Sequence, residues 1–211
     1  TWDIKKIIAK TGIEKIWYTK KNQTALDLAF EASKKVLKKI NKESIDTLIY
    51  VTQSPEYFLP TTACILQHKL GLNNRVKAFD INLGCSGFVY ALFVASSLAQ
   101  NNMSKNILIV CADTYTKYIE NSDRTNKTIF SDGASATLLS ASKSDNIGPF
   151  VFGTDGSGYE KLIVRSGGAT QIDEQVSISD GFLKLALKYK LNDFSLWVNG
   201  LEVATSASGA S

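Results

Sequence analysis

The sequence feature that most limits the fold is an alternation of strand-like segments with segments of helical periodicity. Segments that are rich in β-branched residues, or that alternate apolar with polar ones, predict β-strands at residues 45–52, 76–82 and 106–112. Apolar residues at helical spacing predict helices at about residues 24–40, 62–70 and 88–100. Strands that alternate with helices and are apolar on both faces predict a layered α/β fold with a mainly parallel sheet.

Composition and cysteine spacing indicate the class of protein and the redox environment. Hydrophobic residues make up 44% of the 211 residues and charged residues 21%, as in ordinary soluble globular proteins. No apolar run is long enough to cross a membrane and no secretory signal is visible, so no membrane partner is expected. Cys64, Cys85 and Cys111 are widely spaced and form no CxxC pair, which predicts a reducing, cytoplasmic setting without disulfides or a metal site.

The formal net charge of +4 comes largely from lysine. Several lysines crowd one predicted helix and its end, namely Lys34, Lys35, Lys38, Lys39 and Lys42. We interpret them as a solvated helix face, with docking of an acidic protein as the alternative. Because the basic residues are not interleaved with aromatic or glycine-rich recognition patterns, no nucleic-acid partner is expected.

Cys85 lies where the predicted strand at 76–82 turns into the helix that begins near Phe88. Free N–H groups in the first turn of a helix favour a thiolate, which is the nucleophilic form of cysteine. Gly84 and Gly87 flank the thiol, and we expect them to keep its approach clear for a bulky electrophile. A free cysteine is also commonly a small buried side chain. Position alone therefore leaves a nucleophile and a core residue both open.

A longer pattern around this cysteine resembles a known family. Residues 79–92 (FDINLGCSGFVYAL) are similar to the active-site segment of the β-ketoacyl-acyl-carrier-protein synthase III family. Further segments match that family in the same order, at residues 10–13, 59–64, 122–124, 130–136, 154–156 and 199–203. The family has the thiolase fold, in which two similar α/β halves form a five-layered sandwich. The resemblance thus implies a thiolase-like layered α/β sandwich, mainly its N-terminal half with a following insertion.

Three regions follow from the resemblance and the composition. Residues 1–141 are predicted to form the thiolase-like α/β domain with the nucleophilic cysteine, residues 142–203 an insertion and the start of the second half, and residues 204–211 a flexible tail. Within the later part, strands are predicted at 134–141 and 150–153, joined by a polar turn at 142–146. The pattern at 182–189 fits either a short helix or a strand.

The resemblance also implies roles for individual residues. Cys85 would be the acyl nucleophile, with its own backbone N–H as one oxyanion donor. Lys10, Leu59 and Arg124 would bind substrate: Arg124 matches the arginine that packs on the adenine of coenzyme A, and Leu59 the bulky residue that reaches across a dimer into the partner's acyl pocket. An ordinary surface arginine and a simple loop anchor are the alternatives. The Asp132-Gly133-Ala134 segment matches a turn near the active site, where a structural role is favoured.

The function implied is an acyltransferase of fatty acid biosynthesis, which condenses an acyl group held on Cys85 with malonyl-acyl-carrier-protein. Its partners would be acyl carrier protein, an acyl thioester of coenzyme A or of the carrier, and a second copy in a homodimer, with no metal or other cofactor. The histidine and asparagine of the family's Cys-His-Asn set belong to the second half, and the one histidine here, His68, does not match them. A thiolase-fold enzyme of specialised metabolism and a non-catalytic thiolase-fold partner stay open.

One departure from the family pattern concerns the acyl donor. Lys6 stands where the family has a tryptophan that stacks on the adenine of coenzyme A. A flexible ammonium cannot replace an indole face, so less dependence on coenzyme A is expected than in the family. Trp2, one helical turn earlier, is the alternative stacking residue.

Overall fold

The polypeptide follows the predicted alternation of strands and helices. The computed structural model describes residues 3–142, 147–165, 167–169, 185–190, 193–198 and 201–207. They belong to two compact units, Thr1–Phe152 and Gly153–Ser211. Within the described ranges, no helix is both long enough and apolar enough to cross a membrane. The predicted domain boundaries, after residues 141 and 203, stay predictions.

The four strands and the helices α2, α3 and α4 of the first unit lie where the sequence predicts them, with small shifts at their ends, and the structure adds the helices α1 and α5. The helices are α1 (Ile4–Thr11), α2 (Ala25–Leu37), α3 (Thr62–Leu70), α4 (Gly87–Gln100) and α5 (Arg124–Lys127). The strands are β1 (Thr47–Val51), β2 (Lys77–Ile81), β3 (Asn106–Asp113) and β4 (Gly133–Ser140). Short 3-10 turns lie at Lys42–Ser44 and Tyr115–Lys117.

The sheet of the first unit has the order β2-β1-β3-β4. Strand β1 is parallel to both of its neighbours, with Ile49 opposite Phe79 on β2 and opposite Ile109 on β3. Strand β4 closes one side antiparallel to β3, with Ala136 opposite Val110. The mainly parallel sheet predicted from the sequence is therefore confirmed, and the carboxyl ends of β1, β2 and β3 share one edge.

Helices cover both faces of this sheet, which is why β1 is buried along its whole length. On one face, Leu48 and Leu108 share a buried cluster with Leu26 of α2 and Leu66 of α3. On the other face, strand residues pack with Ala91 and Ala95 of α4. Small residues on α4 let that helix approach the sheet closely, which places the start of α4 directly against the end of β1.

The helix ends follow the local sequence. The carboxylate of Asp27 accepts a hydrogen bond from the backbone N–H of Thr24 at 3.1 Å, which forms a capping box at the start of α2. That bond lowers the pKa of Asp27. Gly12 and Gly71 end α1 and α3 with φ of 70° and 61°, in the left-handed region that glycine adopts without strain.

Residues 150–153 do not form the strand that the sequence predicts. Phe150 and Phe152 pack instead on α4, where the ring of Phe93 lies 5.6 Å from the first and 5.2 Å from the second. Tyr90 lies 4.4 Å from Phe152. Aromatic residues satisfy a strand pattern equally well when their rings bury against a helix from a loop. The predicted polar turn at 142–146 falls mostly outside the described residues.

The second unit contains a 3-10 turn at Gly156–Lys161 and an antiparallel sheet of β5 (Leu185–Lys190), β6 (Asp193–Val198) and β7 (Leu201–Ala207), in that order. The ambiguous pattern at 182–189 is therefore a strand from Leu185. Strand β7 includes residues 204–207, which the sequence analysis assigned to the flexible tail. Small polar side chains do not prevent backbone pairing with β6, which is the reason for this correction. Residues 208–211 lie outside the described part.

Asp132 ties three segments of the first unit together and is only 8% exposed. It accepts hydrogen bonds from the backbone N–H and hydroxyl of Thr19, at 2.8 and 2.7 Å, and from those of Thr116, at 3.0 and 2.7 Å. Burial alone would raise the pKa of Asp132, but the hydrogen bonds from Thr19 and Thr116 outweigh it and lower the pKa. The structural role favoured for the Asp132-Gly133-Ala134 segment rests on this network.

We expect Asp132→Asn to lower the free energy of unfolding by about 1.5–3 kcal/mol at neutral pH, since several hydrogen bonds to a charged group are weakened. The pKa of Asp132 is lower in the folded state than in the unfolded state. Its carboxylate therefore stabilises the fold at pH values above the ordinary pKa of about 4, and this stabilisation is lost as the pH falls through the folded-state pKa. The stability difference between parent and variant should therefore shrink at acidic pH. Urea unfolding at pH 7 and in steps below pH 5 measures this, and a pH-independent difference would contradict it.

Candidate active site

Three segments converge where the parallel strands end. Residues 52–54 follow β1, residues 82–86 follow β2, and Asp113 ends β3 before Thr114 and Tyr115. In open parallel sheets, ligands bind at the edge formed by the carboxyl ends of the strands. We therefore expect the active site at this edge of the sheet in the first unit.

Cys85 lies in the turn between β2 and α4, and it is exposed. The turn is closed by a hydrogen bond from the N–H of Gly87 to the carbonyl oxygen of Gly84 at 2.9 Å. Within the described residues, no side chain caps the first turn of α4 and that turn contains no acidic residue. The partial positive charge of this helix end is thus left for a group at the position of the sulfur. The strand-turn-helix setting predicted for Cys85 is confirmed.

The two glycines beside Cys85 have a role that differs from the expected one. A Cβ atom at Gly87 would overlap Cγ1 of Val51, and one at Gly84 would lie 2.5 Å from Oε1 of Gln53 and 3.0 Å from the hydroxyl oxygen of Tyr115. The space beside both glycines is therefore filled by the protein rather than kept open for an electrophile. Glycine is required at Gly87 because the turn packs tightly against the buried Val51 at the end of β1, whereas the atoms nearest to Gly84 are the ends of two long side chains.

Asp113 fixes the segment that follows β1 beside this turn. Its Oδ1 accepts hydrogen bonds from the backbone N–H groups of Gln53 and Ser54, at 2.8 and 3.0 Å. The hydroxyls of Thr52 and Ser54 donate to the same oxygen at 3.1 and 2.8 Å. The sequence analysis missed this residue, although a carboxylate placed directly after a buried strand was a usable signal.

The side chains of Tyr115 and Gln53 also lie beside the turn that carries Cys85. The Tyr115 hydroxyl donates a hydrogen bond to Oε1 of Gln53. Burial, the Asp113 carboxylate and the Cys85 sulfur raise the pKa of Tyr115 to about 12, so its phenol is protonated at neutral pH. The ring packs 5.4 Å from that of Phe130. Sequence reasoning did not find this pair, because no pattern links residues 53 and 115.

Comparison with known proteins shows which family this chain resembles. Residues 79–156 match the family model described as 3-Oxoacyl-[acyl-carrier-protein (ACP)] synthase III. A Campylobacter jejuni protein provisionally named 3-oxoacyl-[acyl-carrier-protein] synthase 3 is 36% identical over 207 residues, covering 97% of this chain and 56% of the relative. A crystal structure of 3-oxoacyl-(acyl-carrier-protein) synthase III is 42% identical with a TM-score of 0.79, over 86% of this chain and 54% of that one.

The chain is similar to the 3-oxoacyl-acyl-carrier-protein synthase III family along most of its own length. A 3-oxoacyl-(acyl-carrier protein) synthase from Burkholderia xenovorans LB400 is also similar, at 35% identity and a TM-score of 0.72, over 78% of this chain and 48% of that one. The thiolase-like layered α/β fold is thereby confirmed. The chain spans about half the length of these synthase III relatives.

The other predicted site residues lie on separate segments. Leu59 is 87% exposed in the loop between β1 and α3, and Lys10 is exposed in the last turn of α1. Arg124 begins α5, and its side chain is outside the described part of the chain. Their predicted roles in binding substrate stay predictions.

The segments that carry Lys10 and Arg124 are nevertheless linked. After α1, the N–H of Trp17 donates to the hydroxyl of Ser131 at 2.8 Å, and the N–H of Asp132 donates to the carbonyl oxygen of Trp17 at 2.9 Å. Ser131 and Asp132 follow α5 in the chain. The structure therefore joins the segment after α1 to the segment after α5 by backbone and hydroxyl hydrogen bonds.

The two other cysteines lie in less favourable surroundings for a nucleophile. Cys64 is exposed in the first turn of α3, but the Asp80 carboxylate accepts the N–H groups of Thr62 and Ala63, both at 2.7 Å, at that helix end. The Asp80 carboxylate therefore occupies the positive end of the helix dipole beside Cys64. Burial and the Asp113 carboxylate raise the pKa of Cys111 to about 11. Cys85 alone of the three stands at a helix end without a carboxylate cap.

Proposed function

We propose that the protein is an acyltransferase of the 3-oxoacyl-acyl-carrier-protein synthase III type in cytoplasmic fatty acid biosynthesis, and that this chain carries its acyl-accepting half. One observation carries the proposal. The exposed Cys85 lies at the uncapped start of α4, on the carboxyl edge of the sheet, inside the segment that matches the family.

The first step is a thioester exchange at Cys85. The sulfur attacks the acyl carbonyl carbon of the donor, a new sulfur–carbon bond forms, and the bond to the donor's sulfur breaks. The donor leaves as a thiol with the proton that Cys85 gave up. Within the described residues the N–H of Cys85 donates to no protein acceptor, so it is available to the developing oxyanion.

The second step regenerates the free thiol of Cys85. Malonyl-acyl-carrier-protein loses carbon dioxide, its α-carbon attacks the acyl-Cys85 carbonyl, and the carbon–sulfur bond to Cys85 breaks with protonation of the sulfur. The product is a 3-oxoacyl-acyl-carrier-protein. The histidine and asparagine that the resemblance implies for decarboxylation belong to the part of the family that this chain does not span. No metal and no other cofactor enters either step.

The remaining partners are the acyl donor and the acyl carrier protein. Lys10 and Arg124 are cations on linked segments, and we assign them to the phosphates and adenine of a coenzyme A donor or to the phosphate of a carrier-bound one. Lys6 is exposed on α1 and offers no aromatic face. This supports an acyl-carrier-protein donor over a coenzyme A donor.

The test is condensation by the full-length protein, with acyl-coenzyme A and acyl-carrier-protein donors compared against malonyl-acyl-carrier-protein. We expect a 3-oxoacyl product, detected by mass spectrometry, formed from the carrier-bound donor at least as fast as from the coenzyme A donor. Acylation without condensation would favour a different acyl transfer, as in specialised metabolism. Absence of any acylation would favour a non-catalytic partner and would refute the proposal.

A homodimer is the assembly that we expect. Tyr57, Phe58 and Leu59 are 60, 84 and 87% exposed in adjacent positions of one loop. Contiguous exposed apolar side chains of this kind mark an interaction surface. Light scattering of the full-length protein should give twice the chain mass, and Leu59→Ser should shift the protein toward the monomer. A monomeric parent protein at micromolar concentration would contradict the dimer.

A further inference from the structure

The hydroxyl of Tyr115 lies beside the turn that carries Cys85. Its oxygen lies 3.0 Å from the position that a Cβ atom of Gly84 would occupy, and Gly84 directly precedes Cys85. The ring is held between Phe130, at 5.4 Å, and the edge of Tyr118, at 6.4 Å. A ring that is packed on two sides cannot turn away without leaving these contacts.

The hydrogen-bond partner of this hydroxyl is the side chain of Gln53, an exposed residue. Gln53 accepts the Tyr115 hydrogen bond on Oε1, and the same oxygen is the atom nearest to the Gly84 position. The backbone of Gln53 is anchored through its N–H to Oδ1 of Asp113 at 2.8 Å. Tyr115 and Gln53 therefore form a bridge from the ends of β3 and β1 to the turn after β2.

We propose that Tyr115 is a positioning residue for Cys85, which acts by holding Gln53 against Gly84 and so fixing the turn that presents the sulfur to the start of α4. The proposal rests on the proposed function only where acyl transfer is the readout. It needs the phenol in its protonated form as a donor, and the raised pKa of Tyr115, about 12, is consistent with that.

Removal of the hydroxyl has a defined consequence. In Tyr115→Phe the ring and its contacts are kept, but Oε1 of Gln53 loses its donor and is free to leave Gly84. The turn is then held by fewer contacts, and the sulfur spends less time at the helix end. The loss of one hydrogen bond of ordinary strength corresponds to a change of about 3- to 10-fold in a rate that depends on it.

The experiment measures the rate of Cys85 alkylation by iodoacetamide in the native full-length protein, with Cys64 in the same molecule as internal reference. We expect Tyr115→Phe and Gln53→Ala each to slow alkylation of Cys85 by about 3- to 10-fold while Cys64 is unchanged. The double variant should lose no more than the larger single loss, because both changes break one bridge. In acyl transfer, the saturating rate should fall by the same factor while the donor concentration at half-maximal rate stays constant.

Tyr118→Phe is the control, since it removes a neighbouring phenol that donates to the backbone carbonyl oxygen of Gln53 at 3.5 Å but is not among the atoms nearest to Gly84. Equal losses in Tyr118→Phe and Tyr115→Phe, additive losses in the double variant, or a Cys85 rate within twofold of the parent in Tyr115→Phe would each overturn the proposal. General loosening of the fold would speed Cys64 alkylation and would also overturn it. If alkylation responds as expected but no thioester acylates Cys85 in the parent protein, the proposed function fails and the positioning role stands.

Discussion

Replacement of Cys85 by alanine is expected to abolish acyl transfer by the full-length protein. No other group in the described part of the chain combines an exposed thiol with a helix start that lacks a carboxylate cap. Removing the nucleophile of a covalent mechanism costs on the order of 10⁴-fold or more in rate. The measurement is the initial rate of acyl transfer from a thioester donor, for parent and variant at equal concentration.

Cys64→Ser is the control for this experiment. It removes an exposed thiol of the same chain whose helix end is occupied by Asp80, and it should keep the parent rate within about twofold. A Cys85→Ala protein that retains more than a tenth of the parent rate would show that acyl transfer does not pass through this sulfur.

Gly87→Ala is expected to give the second large effect, on stability and on the site together. The added methyl would overlap Val51, which is 3% exposed and cannot move aside. Overpacking of this kind lowers the free energy of unfolding by about 1–3 kcal/mol. Because Gly87 begins α4 two residues after Cys85, the start of the helix must shift. We therefore also expect at least about tenfold slower acylation of Cys85, since small displacements of a reacting atom have large effects on rate.

Gly153→Ala is the matched control for this prediction. A Cβ at Gly153 meets no atom within 4 Å, and its backbone is not in the left-handed region. The same chemical change should leave the urea midpoint unchanged or slightly raised. An unfolding free energy of Gly87→Ala equal to that of the parent would show that the turn has more room than the structure gives it.

The parts of the structure that local patterns encode could be predicted from the sequence. Strand and helix periodicity located β1 to β3 and α2 to α4. The turn at Cys85 is local in the same sense, since a strand pattern, two glycines and a helix pattern follow one another within a few residues.

The surroundings of Cys85 could not be predicted in this way. Asp113 meets residues 52–54 only because β1 and β3 are parallel neighbours, and nothing within either segment fixes that pairing. The Tyr115 to Gln53 bridge depends on the same long-range register. The strand wrongly predicted at 150–153 shows the converse limit, because an apolar aromatic segment does not reveal whether it pairs with a strand or packs on α4.

The location of the acyl group after a single turnover tests the central claim most directly. The full-length protein is incubated with an acyl thioester donor without malonyl-acyl-carrier-protein, digested at acidic pH, and the acyl group is located by tandem mass spectrometry. We predict one acyl group per chain, on the peptide that contains Cys85, with Cys64 and Cys111 unmodified. An acyl group on another residue, or condensation product formed while Cys85 is never acylated, would contradict the account.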